Sequence, residues 1–131
     1  MPALDDCQPQ VVRALQNAGW TVLPKPKRLI VGRRVSYVDL VAVQGERQIY
    51  VEVKCFADPD SSHEQYIAVG QYLLYRAMLE ALEDPTPLYL AIPGTIEATS
   101  IDLVLRRVLE NNQIRLLVVD MEMETITGWK E

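Results

Sequence analysis

Cysteine and histidine are scarce in this sequence: Cys7, Cys55 and His63 are all it has. A structural zinc site wants four such ligands, and a disulfide scaffold wants several cysteine pairs, so neither organises the chain. The two cysteines lie far apart, form no CxxC, and in a reducing compartment are expected to remain free thiols. Also missing is any apolar run near the roughly 18 residues needed to span a bilayer. Met1-Pro2-Ala3-Leu4-Asp5-Asp6 has neither the basic nor the apolar region of a secretory signal. The expected location is therefore cytoplasmic, with no membrane partner. Nor is there an excess of positive charge, since 13 Lys and Arg face 18 Asp and Glu, for a net −5. Phosphate backbones are held largely by Lys and Arg that displace counterions, so any DNA affinity of the chain alone should be weak, with a partner supplying the rest.

What is present is the composition of an ordinary globular protein, 49% hydrophobic and 24% charged over 131 residues. That length is expected to form one domain, 1–131, burying roughly two thirds of the unfolded surface. The basic residues are unevenly placed. Lys25, Lys27, Arg28, Arg33 and Arg34 put five of the thirteen within ten residues. Such a stretch reads equally as a solvated, self-repelling loop or as a phosphate-contacting patch.

Residues 6–18 predict a helix, with Asp6 as cap, Pro9 in the first turn, apolar Val11, Val12, Ala14, Leu15 and Ala18, and Gly19 as terminator. Trp20 to Leu23 predicts a short strand. Val35 to Val43 and Gln48 to Phe56 are β-branched runs about Gln44-Gly45-Glu46-Arg47, a hairpin signal. Ser61 and Glu64 form a capping box for a long helix reaching about Leu82. Leu88 to Ile92 predicts a buried strand, Ala98 to Asn111 a helix, Ile114 to Val119 another buried strand, and Thr125 to Trp129 an edge strand. Up to Val119 the order is α-β-β-β-α-β-α-β, which implies an α/β domain with a mixed sheet flanked by helices.

The hairpin register brings chemistry with it. A turn centred between Gly45 and Glu46 sets Asp39 opposite Glu52 and Tyr37 opposite Lys54. Opposed residues share a face with β-carbons about 5 Å apart, so two carboxylates repel. Both sit in apolar runs, where such a pair is costly unless one is protonated or a cation lies between them. Two carboxylates suit Mg²⁺ or Mn²⁺, which keep several waters. Lys54, two residues beyond Glu52, shares its face and can orient a water or stabilise a developing negative charge. The alternative is a surface ion triplet without chemistry. Gln71 and Tyr75 stand at i and i+4 on the long helix. Tyr75 reads as sheet-packing, whereas Gln71 is a polar residue among Ala68, Val69, Leu73 and Leu74, expected to turn toward the hairpin.

Asp39-x12-Glu52-Val53-Lys54 followed by Gln71-x-x-x-Tyr75 resembles the PD-(D/E)XK nuclease superfamily in its RecB-like form. The whole chain is similar to the XisH family of cyanobacterial proteins in its Gly19-Trp20, Val38-Asp39-Leu40, Val51-Glu52-Val53-Lys54-Cys55-Phe56, Gly70-Gln71-Tyr72-Leu73-Leu74-Tyr75-Arg76, Leu88-Tyr89-Leu90-Ala91-Ile92-Pro93 and Gly128-Trp129. The resemblance implies a restriction-endonuclease-like fold and a part in controlling excision of the fdxN DNA element, beside a recombinase and an XisI-type partner protein. It implies catalytic roles for Asp39, Glu52 and Lys54 with Gln71 in support, and Asp39 and Glu52 as metal ligands. Val38 replaces the proline of the superfamily's name. Gln8 and Gln10 stand where some relatives place a carboxylate, which leaves one metal or two open. Cys55 follows the lysine where a small hydroxyl residue is common and reads as a small apolar filler. The rival expectation is a catalytically silent accessory factor that kept the nuclease fold. Strand specificity and oligomeric state are not legible.

Overall fold

The computed structural model describes residues 7–57 and 62–131. Its elements are helix α1 (Gln8–Asn17), strands β1 (Thr21–Val22), β2 (Lys27–Val31), β3 (Arg34–Val38), β4 (Leu40–Gln44) and β5 (Arg47–Val53), helix α2 (Ser62–Ala81), strand β6 (Leu88–Pro93), helices α3 (Gly94–Thr99) and α4 (Leu103–Asn111), and strands β7 (Arg115–Asp120) and β8 (Thr125–Lys130). Six strands make one sheet in the order β1-β4-β5-β6-β7-β8, while β2 and β3 form a separate two-stranded ribbon. The β5–β6 and β6–β7 pairs are parallel and the other pairs of the sheet antiparallel. Parallel neighbours need a crossover, supplied here first by α2 and then by α3 and α4. This is the mixed, helix-flanked sheet that the element order implies. None of the described helices is long and apolar enough to cross a membrane.

Strand alternation sorts the core into two layers. Ile49, Val51 and Val53 of β5, Tyr89 and Ala91 of β6, and Leu117 and Val119 of β7 pack with Val11, Ala14 and Leu15 of α1. The intervening Tyr50, Leu88, Leu90, Ile92, Leu116 and Val118 pack with Ala68, Tyr72, Met78 and Leu79 of α2. Leu29 of β2 and Val38 of β3, both fully buried, join this second layer. The ribbon therefore lies on the α2 side of the sheet.

Tyr72 fixes how α2 crosses that face. It is wholly buried, donates from its hydroxyl to the Leu88 carbonyl at 2.7 Å and accepts from the Arg115 N–H at 3.2 Å. Tyr72→Phe leaves both backbone groups without that partner, so stability to urea should fall by about 1–3 kcal/mol with the fold retained. An unchanged midpoint would mean that the hydroxyl does not register the helix.

Four expectations are corrected. The run Val35–Val43 is two strands, because Asp39 leaves the ladder and its side chain takes a backbone hydrogen bond instead. Tyr37 accordingly faces Arg28 rather than Lys54, whose N–H bonds the Ala91 carbonyl. The basic stretch is not a loop, since Lys27, Arg28 and Arg34 lie in the ribbon strands, where Leu29 and Val38 supply the buried face that charge concealed. The helix expected over 98–111 is two, because Asp102 accepts from the Leu105 N–H and so caps a new start. The caps assigned to Asp6 and Ser61 lie outside the described residues.

The cysteines also differ from expectation. Cys7 and Cys55 form a disulfide, their Cα atoms 5.8 Å apart. Burial of α1 against the sheet brings its first turn to the residues just after β5, a proximity that a separation of 48 residues hides. Cys55 is thus a cross-link and not a filler.

Candidate functional site

Gln44 pairs with Arg47 across a two-residue turn, and Gly45 takes the positive φ of 61° that this turn needs. The pairs run back to Leu40 opposite Val51. One step further places Asp39 beside Glu52. The Asp39 N–H donates to Glu52 Oε1 at 3.2 Å, and the Val53 N–H donates to Asp39 Oδ2 at 2.8 Å. The two carboxyl groups are therefore held together at the end of β4 and β5, as the hairpin symmetry predicts. Glu52 is 5% exposed, the only polar or charged residue so deeply buried among those described.

Lys54 follows the end of β5, its Nζ 4.0 Å from Glu52 Oε2, with about a fifth of its side chain exposed. Tyr75 of α2 is half-buried and lies within the electrostatic reach of the pair. Its hydroxyl is pushed up to about 12, first by burial and then by the charges of Glu52 and Asp39, which places the phenol within their field. Gln71, one turn earlier on α2, has a buried amide oxygen with no hydrogen-bond partner. The same is true of Gln8 and Gln10 on α1. Sequence reading assigned Tyr75 only a packing role, and it is the residue whose electrostatic link to the site was missed. Its i+4 spacing from Gln71 was the signal available.

Burial, reinforced by the Asp39 charge, raises Glu52 to about 8, while Lys54 and the Asp39 N–H pull it back down. The folded protein therefore holds this proton where the unfolded chain has lost it. Stability is fullest below about pH 4.5 for this group and is lost as pH rises through about 8, by on the order of a few kcal/mol. Glu52→Gln should flatten that decline in melting temperature between pH 5 and 9. An identical decline in the variant would place its origin elsewhere.

The donor set suits a hard divalent cation. Asp39 and Glu52 offer carboxylate oxygens, chemistry that matches Mg²⁺ or Mn²⁺ rather than zinc. Among the described residues no three His, Cys, Asp or Glu side chains converge, so protein carboxylates would fill only part of a coordination shell. The five basic residues are not among the contacts of the carboxylate pair. Lys25, Arg28, Arg33 and Arg34 are exposed, and Lys27 lies 5.8 Å from the centre of the Tyr50 ring.

Comparison with known proteins agrees with the resemblance to the XisH family. Residues 1–127 match the XisH protein family. A crystal structure of an fdxN element excision controlling factor protein from Anabaena variabilis is 34% identical, with a TM-score of 0.87 over 97% of this chain and 100% of that one. An XisH family protein from Nostoc punctiforme is 32% identical, with a TM-score of 0.88 over 96% of this chain and 100% of that one. No curated protein sequence matches. With the family matched across nearly the whole length and solved relatives above 30% identity, this chain belongs to the XisH family.

Proposed function

We propose that the chain is a controlling factor in programmed excision of a DNA element and that it acts as a PD-(D/E)XK, restriction-endonuclease-like domain hydrolysing phosphodiesters. The observation that carries the reading is the pairing of half-buried Asp39 with buried Glu52, with Lys54 beside them. Asp39 and Glu52 would hold Mg²⁺ or Mn²⁺, which when bound polarises the phosphoryl oxygen and acidifies an attacking water. Lys54 stabilises the negative charge that builds on the phosphorane oxygens and orients the nucleophile. Gln71 positions groups at the same site through its unpartnered amide oxygen, and Tyr75 shields it from bulk water. DNA is the proposed substrate, with an XisI-type protein and a recombinase as proposed partners.

The net charge of −5 favours a second reading, an accessory factor without cleavage that works through protein contacts alone. A cation that binds the folded state alone stabilises it by mass action. At millimolar Mg²⁺ or Mn²⁺ the melting temperature should rise, and Glu52→Gln should remove the rise. Incubation of the same protein with linear and supercoiled duplexes should give cleavage products that require the cation. Neither a shift nor products at any concentration tested would leave the accessory reading standing.

A further inference from the structure

Between Cys7 and Val38 the sequence contains no acidic residue. The whole chain carries −5 and Lys25 to Arg34 contributes +5, so the remainder carries −10. This local reversal of charge is mounted on the β2–β3 ribbon. Its five residue pairs close on a two-residue turn, Gly32-Arg33, between Val31 and Arg34. Gly32 has φ of 59°, the value a primed hairpin turn needs at its first central position, and the turn carries Arg33 at the tip. Arg28, Arg33 and Arg34 are exposed and, among the described residues, within ion-pair distance of no carboxylate.

The ribbon has two unlike faces. Leu29 and Val38 anchor it beneath α2. The opposite face pairs Arg28 with Tyr37 and Ile30 with Val35, and Ile30, Val35 and Tyr37 are each close to half exposed, at 45%, 47% and 50%. A twisted two-stranded ribbon has the width that the major groove of B-form DNA admits. Its arginines match phosphates and guanine edges, and its apolar strip suits thymine methyls and sugars. β3 ends one residue before Asp39, so Arg34 lies roughly 17 Å along the strand from the carboxylate pair.

We propose that the β2–β3 ribbon is a duplex-DNA-binding arm that seats its outer face in a groove and lays the phosphate backbone across the Asp39–Glu52 pair. The inference deepens the nuclease reading and rests on it for the position of the scissile phosphate. Binding itself is carried by the ribbon alone. The acidic remainder of the molecule repels DNA, so recognition is confined to this arm and is strongly salt-dependent.

The test is fluorescence anisotropy of the full-length protein with a labelled mixed-sequence duplex in EDTA, repeated from low to moderate salt. Replacing Arg28, Arg33 and Arg34 together by Ala should weaken binding about 10-fold or more and reduce the slope of log affinity against log salt by about 2–3. Tyr37→Ala should weaken binding at an unchanged slope. Arg33→Glu alone, at the exposed tip, should also weaken binding and serves if the triple variant does not fold. Ribbon variants with wild-type affinity and slope overturn the proposal, as does a wild-type protein that binds no duplex. If the ribbon variants lose binding in EDTA while the wild-type protein cleaves no duplex with Mg²⁺ or Mn²⁺ added, the arm stands and the nuclease reading falls.

Discussion

Lys54→Ala should lower divalent-dependent DNA cleavage by about 100-fold or more without measurable loss of fold. The side chain is a fifth exposed, and its backbone N–H is tied to the Ala91 carbonyl whatever the side chain. Its ammonium stands 4.0 Å from Glu52, where it can act on charge that develops only in the transition state. Removing one preorganised electrostatic partner typically costs two to three orders of magnitude in rate. Part of the loss has another source, since Lys54 also draws the Glu52 proton affinity down and its removal should push that residue further above about 8. Raising pH and cation concentration should restore this second part and leave the first. Full recovery would reduce Lys54 to an electrostatic support for Glu52. In cells, Lys54→Ala or Asp39→Asn at matched protein abundance should block element excision. Wild-type excision with both variants would sink the catalytic reading and leave an accessory factor.

The carboxylate pairing was more legible than the frame around it. A two-residue turn fixes hairpin register by counting, and Gly45 announces the turn, so Asp39 and Glu52 could be placed together from spacing alone. Alternation did the rest, because Tyr50 and Glu52 fall on one face and Ile49, Val51 and Val53 on the other. Where sequence reading failed, a local signal was masked by a longer-range one. Val35 to Val43 looks continuous in β-branched residues, yet its first half pairs with β2 and its second with β5. Nothing within the run marks that exchange except Asp39, whose carboxylate bonds a backbone N–H across the sheet. Lys27 to Val31 failed differently, since its charges suggested solvent while Leu29, with half-buried Val31 on the same face, carried the burial. The break at Ser100-Ile101-Asp102 was local and missed because Ile101, Val104, Leu105 and Val108 keep helical spacing across it. The disulfide depends on tertiary proximity, which no single-chain pattern encodes.

Reduction of Cys7–Cys55 should lower stability more than the loss of any single hydrogen bond described above. The bridge closes a segment of 48 residues, which in the chain-entropy account is worth about 4 kcal/mol, with measured losses of roughly 2–5 kcal/mol. For a chain of this length that corresponds to a fall of roughly 7–18 °C in melting temperature. Reduction with a dithiol and the Cys7→Ser/Cys55→Ser variant should give the same fall, and reductant should not move the variant. Thiol titration of the unreduced, denatured protein should find no free cysteine. The effect on chemistry should be smaller than that on stability. α1 remains held by Val11, Ala14 and Leu15, each fully buried, and Trp20 stays stacked near Trp129. Lys54 keeps its backbone bond to Ala91, and the Asp39–Glu52 contacts lie within β4, β5 and the residue before them. Cleavage measured well below the lowered melting temperature should therefore persist after reduction. Loss of cleavage at temperatures where the reduced protein is still folded would mean that the bridge positions the residues after β5, Lys54 among them, and does not merely restrain the unfolded chain.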